Sequence, residues 1–394
     1  MKISAIIAEF NPFHNGHKYL IDEAKKSSDA VFCVMSGSFV QRGEAAIFDK
    51  WTRAEAAVRS GADLVLELPA VYAVSTAERF AFGAVSLIKK LGCADEIVFG
   101  SESGNIKALA DCAKLAANEP FEISQKIKSF LADGMSFPMA RQAAYDGLID
   151  GSILNTPNNI LAIEYMKSAF EQKLDIGFRT IRRIGDYHSE ALSEYASATA
   201  LRKRLKSGGD ISPFIPEEAA KLFKNAAIYD TSALNNTVLY LLRSKKAEEI
   251  AEINDVTEGL ENALIKAAAK CSDVTSLIGE VSGKRYTKTK IARILVSLLL
   301  GTDKKIIRKE PTYARILAFN DTGRKIINKA DKDFPIITKA ADYSCDDEIF
   351  KKDILATDIA ALCSNGKKTS GADFKTPPVY IKDQPIASVS ARVE

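Results

Sequence analysis

From Lys2 to about Gly100, short apolar runs rich in β-branched residues alternate with longer stretches of helical period. The runs at 3–8, 30–35, 63–68 and 96–99 predict strands, and 17–26, 50–60 and 75–91 predict helices. Strand and helix in alternation imply an α/β fold built on a doubly wound parallel sheet. In such sheets ligands sit at the carboxyl ends of the strands.

Beyond residue 104 the pattern turns mainly helical, at 106–117, 123–132 and 158–172, followed by a strand at 175–182 and a helix at 196–205. Gly208-Gly209-Asp210, then Pro213 and Pro216, interrupt the periodicity and mark a boundary. The expected organisation is a catalytic α/β domain over 1–208 and a mainly helical domain over 209–394. Helices are expected there at 217–225, 232–243, 258–271 and 288–300, with short strands at 315–319 and 379–381.

Composition narrows the picture. Of 394 residues 46% are apolar, enough for a sizeable core, and a net charge of +3 supplies no global field for nucleic acid or a membrane. Any such binding needs a local patch. The six cysteines (Cys33, Cys93, Cys112, Cys271, Cys345, Cys363) lack C-x-x-C spacing and neighbouring histidines, so they read as reduced core thiols. The N-terminal apolar run is broken by Glu9, Asn11 and Pro12 before a signal-peptide core forms, and no apolar run reaches 18 residues. A soluble, cytoplasmic protein is expected.

The strongest local chemistry is Asn11-Pro12-Phe13-His14-Asn15-Gly16-His17, between the first predicted strand and the first predicted helix. A triphosphate needs donors that approach closely. A strand-to-helix turn offers free backbone N–H groups where the helix dipole favours negative charge, and Gly16 leaves space for the approach. Two imidazoles three residues apart can aim at one phosphate, which makes His14 and His17 the candidate catalytic pair, stabilising charge as pyrophosphate departs. The plain alternative is an exposed loop His14 and a helix-capping His17. Against it, the chain has three histidines and two fall in this window. Two ligands do not make a zinc site, and no metal-binding residues are assigned.

The string His14-Asn15-Gly16-His17 resembles the (H/T)-x-G-H signature of the nucleotidyltransferase superfamily, which includes class I aminoacyl-tRNA synthetases. Met35-Ser36-Gly37-Ser38-Phe39-Val40-Gln41-Arg42-Gly43-Glu44, Glu67-Leu68-Pro69, Phe99-Gly100-Ser101-Glu102, Pro157-Asn158-Asn159-Ile160-Leu161 and Ser197-Ala198-Thr199-Ala200-Leu201-Arg202 resemble motifs of the tRNA(Met) cytidine acetate ligase family. The resemblance spans essentially the whole chain. It implies a Rossmann-like HxGH nucleotidyltransferase domain and a two-step ligase. Acetate attacks the α-phosphate of ATP, giving acetyl-adenylate, and N4 of the wobble cytidine of elongator tRNA(Met) then takes the acetyl group. ATP is implied as a substrate with Mg²⁺, and acetate and that tRNA as partners; neither a membrane nor a protein partner is implied.

By the same resemblance ATP is held by Ile7, Ala8, Glu9, Phe10, Asn11, Pro12, Phe13, His14, Asn15, Gly16, His17, Lys18, Tyr19 and Leu20, with Gly100, Asn158, Arg183 and Ile184. Read plainly, Gly100 is a turn glycine, Asn158 a helix cap and Arg183 part of a solvated stretch with Arg179 and Arg182. Ser197, Thr199 and Arg202 resemble the S-x-T-x-(I/L)-R stretch that closes over the β- and γ-phosphates; a plain helix cap with an exposed arginine is the alternative. The loop from Ser36 to Glu44 is expected to shape the pocket for acetate or the target base.

An RNA-binding patch is expected at Lys284, Arg285, Lys288, Lys290 and Arg293, with Tyr286 available to stack on a base. A merely solvated basic face is the competing reading. His188 is either a base acting on the cytidine amine or a structural loop residue. A small-molecule adenylyltransferase of cofactor biosynthesis and a nucleotide-dependent RNA-binding protein without chemistry are the other function classes. The first leaves the helical half unexplained, and the second has no use for both His14 and His17.

Overall fold

The computed structural model describes residues 1–149, 151–184, 195–343 and 346–382. Strand β1 (Ile3–Ala8) lies at the centre of the main sheet. On one side it is followed by β2 (Ala30–Ser36) and β5 (Leu64–Leu68), on the other by β6 (Glu96–Ser101) and β7 (Gly177–Arg182), all parallel. The direction of winding reverses between β1 and β6. That is where a doubly wound sheet opens a crevice at its carboxyl edge. β1, β2 and β5 are almost wholly buried, which explains their unbroken apolar runs.

Helices cover both faces. One core gathers Phe32, Leu66, Phe80 and Leu87, and the other gathers Val31, Cys33, Val65 and Trp51. The helices Ile106–Ala117 and Lys288–Leu300 have the expected bounds. The expected helix over 232–243 instead begins as a 3-10 turn, Thr231–Leu234, and continues as Asn235–Ser244, because the Asp230 carboxylate accepts from Ser232 N–H at 3.1 Å. Sequence reasoning missed the short hairpin β3 (Phe39–Val40) and β4 (Glu44–Ala45), and the helices Phe137–Tyr145, Val274–Val281, Asp321–Lys329 and Glu348–Ala361.

Residues on both sides of the boundary expected at 208 build the sheet. β8 (Ala314–Phe319) pairs antiparallel with β5, and β9 (Ile336–Ile337) and β10 (Val379–Tyr380) pair with β8. The rest of this half includes a helical body with its own core of Leu239, Leu242, Leu264, Ile291, Ile294 and Leu298. An ionic cluster locks the added strand in place. Lys50 bonds Glu67 at 2.7 Å and Asp373 at 2.8 Å, and Arg315 on β8 bonds Asp373 at 2.6 Å, all four side chains at most 4% exposed.

Candidate active site

The loop after β1 is held from behind. Phe10 takes φ +47°, a left-handed conformation uncommon for a bulky side chain. Its buried ring stands edge-on to Phe13 and to His17, both at 4.9 Å between centroids. Arg53 is fully buried and donates to the carbonyls of Glu9 (2.6 Å), Phe48 (3.0 Å) and Ser36 (3.1 Å), and also to that of Gly37. One guanidinium thereby ties together the segments that leave β1 and β2. Asn11 adds a side-chain oxygen that accepts from Ile47 N–H at 2.7 Å.

The two imidazoles are stacked, with centroids 3.7 Å apart and planes 28° from parallel. His14 caps the helix Asn15–Lys25, its Nδ1 accepting from Gly16 N–H at 3.1 Å, while His17 Nδ1 accepts from His14 N–H at 3.3 Å. Because a backbone N–H can only donate, both Nδ1 atoms are unprotonated, and each neutral ring carries its proton on Nε2. Burial, then the charges of Arg183 and Arg202, depress the pKa of His14 to about 3. Burial, then His14 and Arg183, hold His17 well below its ordinary value. Gly16 is needed by this arrangement, since a Cβ there would lie 2.9 Å from the His14 ring. The glycine makes room for the imidazole, whatever else approaches it.

Both histidines line a cavity at the crevice between β1 and β6. Its walls are Ile7, Ala8 and Glu9 from β1 and the turn beyond it, Gly100 at the end of β6, and Arg183 and Ile184 after β7. Phe80, Phe99, Leu161 and Tyr165 supply an apolar side, and Gln41 and Arg42 come from the β3–β4 turn. Arg183 is half-buried, and its buried Nε has no hydrogen-bond partner among the described residues, a donor that suits an anion. The helix Ala198–Lys206 turns its start to the same space through Ala198 and Thr199, with Ser197 as its cap. Backbone donors, imidazole N–H groups and arginines thus converge on one void, as a polyphosphate requires.

The HIGH Nucleotidyl Transferase family model matches residues 1–373. The tRNA(Met) cytidine acetate ligase of Thermoanaerobacter sp. (strain X514) is 40% identical across 97% of this chain and 100% of its own length. The protein of the same description from Clostridium novyi is 39% identical over the same shares. This chain belongs to the tRNA(Met) cytidine acetate ligase family. Crystal structures of Thermotoga maritima TmcAL, apo and bound with alpha-thio ATP, superpose with TM-scores of 0.90 and 0.88 at 30% identity, covering 97% of this chain and 100% of theirs. The HxGH nucleotidyltransferase fold, Rossmann-like with a helical second half, is common to them.

Within this ligase family member several expected residues occupy places other than the cavity wall. Phe10, Asn11, Pro12 and Phe13 are buried behind it and act as its backing. Lys18 is outside it, paired with Asp22 at 2.8 Å. Asn158 does line the cavity, but its amide donates to Glu102 at 2.6 Å, and the Glu102 carboxylate also accepts from Asn159 N–H at 3.0 Å. Glu102 therefore caps the helix Pro157–Glu171, a clamp that local sequence did not reveal. Arg202, expected over the phosphates, lines the cavity while its Nε pairs with Glu44 at 3.1 Å and its Nη1 donates to Asn11 O at 2.8 Å.

The basic patch is likewise divided. Lys284, Arg285 and Lys288 are exposed, whereas Lys290 and Arg293 pair with Asp255 at 3.3 and 3.0 Å. The Tyr286 ring, expected to stack on a base, already lies near Lys290 at 5.3 Å and Arg285 at 5.4 Å. The helix that begins at Lys288 nevertheless touches the turn that reaches the cavity. Gly43, at φ +75°, approaches the helix Lys288–Leu300 so closely that a Cβ would fall 2.3 Å from the Ala292 backbone, and Gln41 and Arg42 of the same turn line the cavity. His188 and Cys345 lie outside the described residues. Among the described residues no group of three His, Cys, Asp or Glu side chains is placed to hold a metal, and no helix is long and apolar enough to cross a membrane.

Proposed function

We propose that this chain is an ATP-dependent ligase that activates acetate as acetyl-adenylate and transfers the acetyl group to N4 of the wobble cytidine of elongator tRNA(Met), giving N4-acetylcytidine. The observation that carries the reading is the stacked neutral pair His14 and His17, with Nε2–H donors of fixed tautomer in the same cavity as the partnerless Arg183 Nε. In the first step an acetate oxygen attacks the α-phosphorus and pyrophosphate leaves. Negative charge grows on the departing phosphates, and donors whose tautomer and position the fold has already fixed stabilise it. Mg²⁺ would enter with ATP and help neutralise its phosphates; among the described residues no group of three His, Cys, Asp or Glu side chains is placed to hold it.

In the second step the tRNA lies against Lys284, Arg285 and Lys288 while its anticodon reaches over the β3–β4 turn to the cavity. Contact between that turn and the helix Lys288–Leu300 supports this placement. The region beyond residue 209 would then serve as the tRNA-binding part and residues 1–208 as the catalytic part.

The test is acetate-dependent exchange of labelled pyrophosphate into ATP, together with mass spectrometry of tRNA incubated with the protein. Wild-type protein is expected to do both, and His17→Ala to lose about 10²–10³-fold in exchange, the scale for removing one preorganised donor. Turnover with a phosphorylated cofactor precursor but no exchange with acetate would instead favour a small-molecule adenylyltransferase.

A further inference from the structure

We propose that Glu9 accepts the proton that the cytidine amine sheds during acetyl transfer, an inference that rests on the acetate ligase reading above. Glu9 follows directly on β1 and lines the cavity beside His14 and His17. Its backbone is immobilised by the Arg53 guanidinium at 2.6 Å, and its Oε1 accepts from Gln41 N–H at 2.8 Å. Among the described residues that is the one hydrogen bond to this carboxyl, which leaves Oε2 available to a substrate. A carboxylate oxygen is the acceptor that matches the exocyclic amine of cytosine.

Other groups around the cavity are poorly suited to the task. Both imidazoles have their unprotonated Nδ1 atoms engaged by backbone N–H groups, so each faces the cavity as a donor. Arg42, Arg183 and Arg202 have no proton-accepting atom at working pH, and burial holds the Tyr165 hydroxyl protonated. Burial also raises the pKa of Glu9, opposed by the Gln41 N–H and by Arg202 and Arg42, with Glu44 adding to the rise. A buried carboxylate is thereby a stronger base than a solvated one.

The step balances as follows. The N4 lone pair forms a bond to the acetyl carbonyl carbon, and the carbonyl π pair moves to oxygen. Glu9 takes one N4 proton. The carbonyl then re-forms as the bond to the phosphate oxygen breaks, and AMP leaves with that electron pair. Water in the open cavity later receives the proton from Glu9.

The experiment supplies synthetic acetyl-adenylate to the full-length protein and follows single-turnover acetylation of a tRNA(Met) transcript, with hydroxylamine as acceptor in parallel. Hydroxylamine attacks without needing a base. Glu9→Gln keeps the acceptor for Gln41 N–H but cannot take a proton. The ratio of cytidine acetylation to hydroxamate formation is expected to fall about a hundredfold or more, the usual scale for a general base. An unchanged ratio would overturn the assignment, as would a fall in both products together. A second measurement needs no variant: the wild-type transfer rate must rise with pH through one ionisation above the ordinary carboxylate range. A flat profile there would also overturn it. If wild-type protein acetylates no cytidine at all, the ligase reading fails; if it does and Glu9→Gln matches it, only the role of Glu9 fails.

Discussion

Two sets of polar side chains lie at the carboxyl edge of the sheet and are treated in opposite ways. In the ionic cluster, Lys50, Glu67, Asp373 and Arg315 satisfy one another at 2.6 to 2.8 Å along a chain of contacts. In the cavity, Arg183 Nε has no partner and two imidazole N–H groups have their orientation fixed in advance. In the first set each charge meets an opposite charge supplied by the chain itself. The second lines a cavity, and donors that open onto a void mark where a ligand belongs.

The largest expected effect comes from unbalancing the closed set. Lys50→Met leaves the buried carboxylates of Glu67 and Asp373 with one cation, Arg315, between them and is expected to cost about 3–5 kcal/mol of stability, read as a lowered urea midpoint. A shift under about 1 kcal/mol would mean that water already reaches the cluster.

Next in size is a pH effect from the open set. His14 has a folded pKa of about 3 against an ordinary value of 6.5, so between these the unfolded chain binds a proton that the folded one does not. Stability is full above pH 6.5 and falls as the pH drops toward 3, by up to about 1.4 kcal/mol per unit for each such histidine. Urea midpoints at pH 7.5 and 5.5 should differ, and His14→Gln should narrow the gap. An equal gap in the variant would place the titration elsewhere.

The smallest effect separates the two kinds of cation in the basic patch. Lys288→Ala should reduce the salt slope of tRNA binding by about one, the value for one lost phosphate contact. Lys290→Ala should change it less, because Asp255 already occupies that ammonium. Equal changes would show that RNA displaces Asp255.

The strands β1, β2 and β5 were legible because nearly full burial on both faces leaves a contiguous apolar signature, as in the run 30–36. His14 and His17 were legible because two of three histidines share one turn. The place of β8 was not, since nothing local to residues 314–319 says that they align antiparallel beside β5. Helix Glu348–Ala361 escaped for a related reason: it buries Asp353 and Thr357 along with apolar residues, which blurs its polar face. The partners of Arg202, Asn158 and Lys290 are 158, 56 and 35 residues away along the chain (202 − 44, 158 − 102 and 290 − 255), and separations of that size carry no local pattern. A motif can therefore nominate a side chain, but only the folded chain says whether that side chain is already engaged.

The late arrival of β8 has a consequence for biosynthesis. A ribosome delivers β1, β2 and β5 within the first 68 residues, yet the strand that covers the flank of β5 begins only at residue 314. Throughout the intervening elongation β5 presents unpaired backbone groups, an invitation to neighbouring nascent chains. Truncated translation products ending before residue 314 are accordingly the forms most prone to clump.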